Sequence, residues 1–126
     1  MIGYVTLGTN DFNRAVEFYD GLMIHLGENR LWKTDSMAAW GQSRDVPAIC
    51  IARPFDGKDA SISNGGMVAL KVSTTAQVNA AHALALSLGG IDEGAPGPRG
   101  TGGFYGGYFR DLDGNKLNVY TPASHA

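Results

Sequence analysis

The chain has 126 residues, of which 44% are hydrophobic, and its formal net charge at pH 7 is −2. Acidic and basic residues are interspersed, so there is no basic stripe to bind a nucleic acid and no polybasic run to hold an anionic membrane. No segment has the roughly 20 apolar residues of a membrane-spanning helix, and the single cysteine excludes an internal disulfide, so we expect a cytoplasmic protein.

The first half of the chain predicts a strand, a helix and three further strands. Asn10 or Asp11 can cap the helix, apolar residues follow at helical spacing, and Gly27 ends it. The later strands are short apolar runs separated by turn residues. The expected elements are a strand at 4–9, a helix at about 12–26, and strands at 31–33, 37–40 and 48–52.

The second half predicts the same order of elements. Thr74 or Thr75 can cap an alanine-rich helix, and the pair Gly89-Gly90 ends it. A turn with Asp-Gly and Gly-Asn pairs joins the last two strands, because such pairs supply the backbone angles of tight hairpins. The expected elements are a strand at 67–72, a helix at about 75–88, a short strand at 91–93, a loop at 95–103, and strands at 104–110 and 117–120.

The two halves also resemble each other in pattern. The segment Gly3-Tyr4-Val5-Thr6-Leu7 corresponds to Gly66-Met67-Val68-Ala69-Leu70, and 63 residues, half the chain length, separate Tyr4 from Met67. Such a repeat predicts two similar βαβββ modules with a shared cavity. We therefore expect one α+β domain spanning residues 1–126, with a first module at 1–57, a polar connection, and a second module at 66–122.

The order of several short motifs resembles a known family over essentially the whole chain. They are Tyr4 to Asp11, Arg14-Ala15, Phe18-Tyr19, Leu26-Gly27, Gly66 to Leu70, Gly89-Gly90 and Arg110 to Leu117. This series is similar to the glyoxalase, bleomycin-resistance and extradiol-dioxygenase group, the vicinal-oxygen-chelate superfamily. The resemblance implies two βαβββ modules whose curved mixed sheets enclose a small-molecule cavity. It also implies a homodimer.

The resemblance also indicates where a metal would bind. In metal-dependent members, a histidine on the first strand of each module and a glutamate on a last strand hold a divalent ion. The corresponding positions here carry Tyr4, Cys50, Met67 and Asn118. A thioether and a neutral amide add little affinity for a hard divalent ion, so we expect no metal and no other cofactor.

The three histidines offer no alternative metal site. His25 lies near the end of the first helix, His82 lies on the second helix, and His125 is in the C-terminal tail. Nothing in the predicted topology brings them together, so we expect surface or helix-face side chains.

The same positions suggest a neutral, partly polar pocket for an organic molecule. Trp32 and Trp40 could both stack on a flat ligand, and strand alternation favours Trp40, which is equally consistent with a place in the core. Residues 97–103 are rich in glycine and could form a mobile lid. The expected pocket residues are Tyr4, Trp40, Cys50, Met67, Tyr108 and Asn118.

Three functions remain open on these grounds. The first is metal-free binding or sequestration of a small molecule, as in the antibiotic-binding branch of the family. The second is a lyase or isomerase, resembling lactoylglutathione lyase, that uses Tyr4 or Cys50 for proton transfer without a metal. The third is an interaction module with a degenerate site. No catalytic residue is identified.

Overall fold

The computed structural model describes residues 1–122, which form two helices and eight strands in two four-stranded mixed sheets. The chain divides into two compact units, with the boundary between Ile62 and Ser63. This boundary lies within the polar connection expected between the modules. Neither described helix has the length and apolar character needed to cross a membrane.

The first unit contains one helix and one sheet. Its elements are β1 (Tyr4–Gly8), α1 (Phe12–His25), β2 (Asn29–Lys33), β3 (Met37–Gly41) and β4 (Ala48–Ala52). The strand order is β1-β4-β3-β2, with β1 parallel to β4 and the other neighbours antiparallel. The chain between β1 and β4 consists of α1, β2 and β3, and α1 supplies the crossover that a parallel pair of strands requires.

Local signals place both ends of α1. The Asp11 carboxylate accepts a hydrogen bond from the amide of Arg14, which satisfies one of the free amides of the first turn. After the last turn, Gly27 adopts a φ of 83°, a left-handed conformation that costs glycine little. The start and end expected for this helix are therefore found within about two residues.

Trp40 anchors α1 to the first sheet. Its side chain is 1% exposed, and its ring lies 5.6 Å from the ring of Tyr19, centroid to centroid. The indole Nε1 donates to Asp20 Oδ1 at 2.9 Å, and Asp20 Oδ2 accepts from Arg30 Nη1 at 3.0 Å. The buried indole N–H is thus satisfied, as a buried aromatic donor requires.

The second unit repeats this topology. Its elements are β5 (Val68–Lys71), α2 (Thr75–Ser87), β6 (Ile91–Pro98), β7 (Tyr105–Arg110) and β8 (Lys116–Thr121). The strand order is β5-β8-β7-β6, with β5 parallel to β8. The predicted α+β class with two βαβββ modules is confirmed.

The loop expected at 95–103 is partly wrong, because β6 continues to Pro98. This strand is at the edge of its sheet and pairs only with β7, with register shifts on either side of Gly94. An edge strand tolerates prolines and glycines that a central strand would not, since one row of its backbone groups needs no partner strand. Turn-forming composition therefore did not prevent strand pairing.

The buried faces of the two helices correspond at the 63-residue spacing. All four buried residues of α2, which are Val78, Ala81, His82 and Ala85, follow Ala15, Phe18, Tyr19 and Leu22 of α1 by this interval. His82 therefore occupies the position of the aromatic core residue Tyr19. The sequence alone indicated a surface or helix-face histidine, and the structure places His82 on the buried face of α2.

His82 connects α2 to two strands. Its Nε2 lies 3.1 Å from Asp92 Oδ1 and 3.1 Å from the backbone oxygen of Tyr108. Both neighbours are acceptors, so Nε2 carries the proton and donates. The pKa of Asp92 is lowered, first by the hydrogen bond from the Gly94 amide and further by His82.

We expect Asp92→Asn to reduce the free energy of unfolding at neutral pH and to have less effect as the pH falls. The folded-state pKa of Asp92 is below its unfolded value, so the stabilisation is present above the unfolded pKa and is lost as pH falls through the folded pKa. Urea unfolding at several pH values measures this difference. Asp35→Asn, at an exposed turn position, is the control. A deficit for Asp92→Asn that is the same at every pH would contradict the expectation.

Candidate functional site

The first sheet has one face under α1 and one open face. Thr6 pairs with Cys50, and Cys50 pairs with Ala39, so these residues share one face across three strands. On the other face, Trp40 packs under the helix. Because side chains alternate along a strand, Tyr4 lies on the same open face as Thr6.

A cavity of about 380 Å³ opens on this face. Tyr4 and Trp32 form its aromatic walls, Ala39 and Cys50 belong to its floor, and Arg44 stands among its lining residues. A larger open depression of about 710 Å³ lies at the other end of the face, where residues 52–56 and 59–61 contribute to its lining. Tyr4 is 64% exposed, so its phenol is accessible to a bound molecule.

The structure corrects the expectation that Trp40 lines the pocket. The pairing of β2 with β3 shifts between Arg30 and Trp32, which indicates a β-bulge at this point. Arg30 is opposite Trp40 on the helix face, whereas Trp32 is opposite Ala39 on the open face. Trp32 is therefore the cavity tryptophan, and Trp40 belongs to the core.

Cys50 presents a neutral thiol to this cavity. The residue is buried, and burial raises the pKa of its thiol because the charged thiolate loses solvation. At neutral pH the sulfur is therefore protonated, which makes it a weak nucleophile and a weak metal ligand. Its position favours apolar contact with a ligand over covalent chemistry.

Three other expected site residues belong to the second unit. Met67 directly precedes β5 and is 47% exposed, while Asn118 lies on β8 opposite Tyr108 of β7. The buried Asn118 amide donates from Nδ2 to the backbone oxygen of Gly107 at 2.9 Å. A Cβ at Gly106 would lie 2.9 Å from this nitrogen, so glycine is required beside it.

The strand pairing supports the correspondence assumed between the halves. Cys50 pairs with Thr6, and Asn118 pairs with Ala69, which is 63 residues after Thr6. Cys50 and Asn118 thus hold equivalent places in the two sheets. The structure brings Tyr4 and Cys50 together within the first unit, and it brings Tyr108 and Asn118 together within the second.

The donor set does not fit the divalent metal site that the family resemblance implies. Tyr4 and Cys50 offer a phenol and a protonated thiol, and Met67 and Asn118 offer a thioether and an amide that is already hydrogen-bonded. Residues 1–122 contain no group of three or more histidine, cysteine, aspartate or glutamate side chains able to hold a metal ion. His125 lies outside the described residues.

Comparison with known proteins agrees with this architecture. Residues 1–119 match the family model of the Glyoxalase/Bleomycin resistance protein/Dioxygenase superfamily. The chain belongs to this superfamily. No curated protein matches it.

Several solved structures are similar to this chain over nearly its whole length. A glyoxalase/bleomycin resistance protein from Albidiferax ferrireducens T118 is 30% identical, with a TM-score of 0.86 over 96% of this chain and 98% of that one. The fosfomycin resistance protein FosX from Listeria monocytogenes is 15% identical, with a TM-score of 0.71 over 98% and 93%. TioX from Micromonospora sp. ML1 is 17% identical, with a TM-score of 0.69 over 97% and 98%. FosX and TioX share the fold.

For this superfamily member, the sequence named Trp32 as a possible stacking residue but favoured Trp40, and it did not indicate Arg44 as a cavity residue. The β-bulge that turns Trp32 to the open face leaves no clear mark in the sequence. Arg44 lies in the connection between β3 and β4, and only the folded chain places it beside the cavity.

Proposed function

We propose that this superfamily member binds a small organic molecule without a metal ion, and that sequestration of the molecule is its function. The observation that carries this proposal is the cavity on the open face of the first sheet. Its two aromatic walls, Tyr4 and Trp32, provide surfaces on which a flat molecule can stack. Its floor is uncharged, so an apolar ring can be buried there without removing an ion from water.

The size and polar groups of the cavity support the same proposal. Its volume of about 380 Å³ falls within the range of about 300–1,000 Å³ found for small-molecule sites. The Tyr4 phenol, the Ser43 hydroxyl and the Arg44 guanidinium are hydrogen-bond donors among mainly apolar lining residues. These features favour a planar ligand that carries an acceptor group at its edge.

A metal-free lyase or isomerase is the second candidate, because Tyr4 and Cys50 line the same cavity. Proton transfer at neutral pH needs a group whose pKa is near 7. The pKa of Cys50 is raised instead, which weakens this candidate. The third candidate, an interaction module, would use the exposed apolar side chains Tyr4, Phe55 and Met67 for protein contacts.

Two single-tryptophan variants locate the ligand. The chain has two tryptophans, so Trp40→Phe leaves Trp32 as the only one and Trp32→Phe leaves Trp40. When a planar aromatic compound binds, we expect fluorescence quenching to persist in Trp40→Phe and to be largely lost in Trp32→Phe. We also expect Trp32→Ala to weaken binding by about 1–3 kcal/mol through lost contact area.

The melting temperature of each variant shows whether weaker binding comes from a lost contact with the ligand or from a less stable fold. Trp32→Phe and Trp32→Ala should melt close to the unmodified chain, whereas Trp40→Phe should melt lower because Asp20 loses the indole donor. If all compounds that bind leave Trp32 fluorescence unchanged, the cavity is not their site. The interaction module would then become the preferred function.

We expect purified protein to contain no stoichiometric Zn, Ni, Fe or Mn. The four family positions lack both histidine and carboxylate, so a chelator should leave the melting temperature unchanged. Elemental analysis and thermal unfolding with and without EDTA measure this. About one tightly bound metal ion per chain would overturn the metal-free proposal.

We further propose that the protein is a cytoplasmic homodimer. Exposed apolar side chains such as Phe55, Met67 and Ile91, together with unpaired sheet edges, are features that a second copy could cover. Light scattering at micromolar concentration should therefore report twice the chain mass of 13.3 kDa. A monomer at the highest soluble concentration would count against the dimer.

A further inference from the structure

The connection between β4 and β5 contains a tight turn at residues 63–66. The Gly66 amide donates to the backbone oxygen of Ser63 at 3.1 Å, and this hydrogen bond closes the turn. Gly65 has a φ of 102°, whereas no described residue other than glycine has a positive φ. A negative φ followed by a positive φ at the two central residues is typical of a type II turn. Asn64 and Gly65 are therefore its central pair, and the second position favours glycine.

The side chain of Asn64 has no partner in this turn. Asn64 is the only asparagine of the sequence that is followed by glycine. The residue is exposed, and its carboxamide forms no hydrogen bond with residues 1–122. The backbone N–H of Gly65 likewise has no acceptor in this described part of the chain. The carboxamide carbon and the next backbone nitrogen are therefore not held by other groups.

Two asparagines of the second unit are held by hydrogen bonds instead. Asn79 Oδ1 on α2 accepts from the Tyr105 hydroxyl at 2.6 Å, and the buried Asn118 donates to the Gly107 backbone oxygen at 2.9 Å. Alanine follows the first asparagine and valine follows the second, so a Cβ crowds the next backbone nitrogen in both places. Asn64 differs from them in its exposure, its unbound carboxamide and its glycine neighbour.

The surroundings of this turn allow the backbone to change its conformation. Residues 61–67 are all exposed, and they belong to neither a helix nor a strand. A segment with few buried contacts opens locally at little cost in free energy. Gly65 has no Cβ, so the peptide unit that joins it to Asn64 can rotate until the nitrogen faces the side-chain carbon.

We propose that Asn64 is a site of spontaneous covalent modification, at which water converts its side-chain amide to a carboxylate through a cyclic imide. The Gly65 nitrogen gives up its proton to base and attacks Asn64 Cγ, which forms a new C–N bond. The bond from Cγ to the side-chain nitrogen breaks, and this nitrogen takes up a proton and leaves as ammonia. Water then opens the ring. Attack at Cγ yields aspartate, and attack at the backbone carbonyl yields isoaspartate, with no oxidation or reduction in either case.

The modification changes both the charge and the backbone just before β5. Either product adds one negative charge to a chain whose formal net charge is −2. Isoaspartate also adds a methylene group to the backbone between Ser63 and Gly66, so the hydrogen bond that closes the turn no longer spans the same number of atoms. The site uses no residue of the first-unit cavity, and the proposal therefore does not depend on the proposed function.

Peptide mapping of the folded protein after incubation at mildly alkaline pH tests this site. Trypsin releases residues 59–71 as one peptide in which Asn64 is the only asparagine. Mass spectrometry should show this peptide converting from amide to acid, relative to a sample digested without incubation, while the peptides with Asn79 and Asn118 stay unchanged. Conversion should be slower at mildly acidic pH, because less of the attacking nitrogen loses its proton.

The ratio of the two products tests the cyclic imide itself. Endoproteinase Asp-N cleaves before aspartate and not before isoaspartate, so it separates the two forms of the peptide. A mixture that contains isoaspartate is expected. Aspartate alone would mean direct hydrolysis of the side chain and would overturn the proposed route.

A matched variant and a free peptide complete the test. Asn64→Gln keeps a neutral amide but requires a larger ring, so the more acidic form of the protein seen by ion exchange should be lost. Its melting temperature should match that of the unmodified chain, because the Asn64 side chain makes no hydrogen bond within residues 1–122. A synthetic peptide of residues 59–71 gives the rate without the fold. The proposal is overturned if this peptide reacts while the folded protein does not, or if Asn64→Gln becomes acidic as fast as the unmodified chain.

Discussion

Each sheet of this protein has a single helix on one face, and this one-sided cover decides the role of almost every strand residue. Side chains alternate between faces along a strand, so a residue is either part of the helix-facing core or part of the open face. Ile51 and Trp40 are buried under α1, while Tyr4 and Thr6 on β1 face outward. A shift of the strand register by one residue moves a side chain from one face to the other. The bulge in β2 has this effect on Trp32, which lies on the open face.

Polar groups beneath the helices complete the two cores in different ways. In the first unit, Asp20 of α1 accepts the indole proton of Trp40. In the second unit, His82 takes the place that Tyr19 occupies in the first, and donates toward Asp92 and the Tyr108 carbonyl. An apolar ring can be buried with few constraints, whereas an imidazole must be given an acceptor. The repeat thus preserves packing positions while the chemistry of each position differs.

The open faces carry chemistry that differs from the metal-dependent pattern of the superfamily. The open face of the first sheet offers aromatic surfaces and a protonated thiol. On the second sheet, the side chains of Arg99 and Lys116 contact the Tyr108 ring. Neither is suited to hold a divalent ion, since cations repel it and a neutral thiol binds it weakly.

The sequence by itself determined the elements, their order and the duplication. Helix caps, apolar periodicity and turn residues are local signals, and they located both helices and nearly all strands. The extent of β6 was not predictable, because pairing with β7 overrode the turn-forming composition of residues 95–98. Only the tertiary structure decided that Trp32 rather than Trp40 meets the cavity, since a bulge depends on the partner strand. The tertiary structure likewise brought Arg99 and Lys116 to the ring of Tyr108. The pairing of strands that are distant in sequence sets which side chains meet.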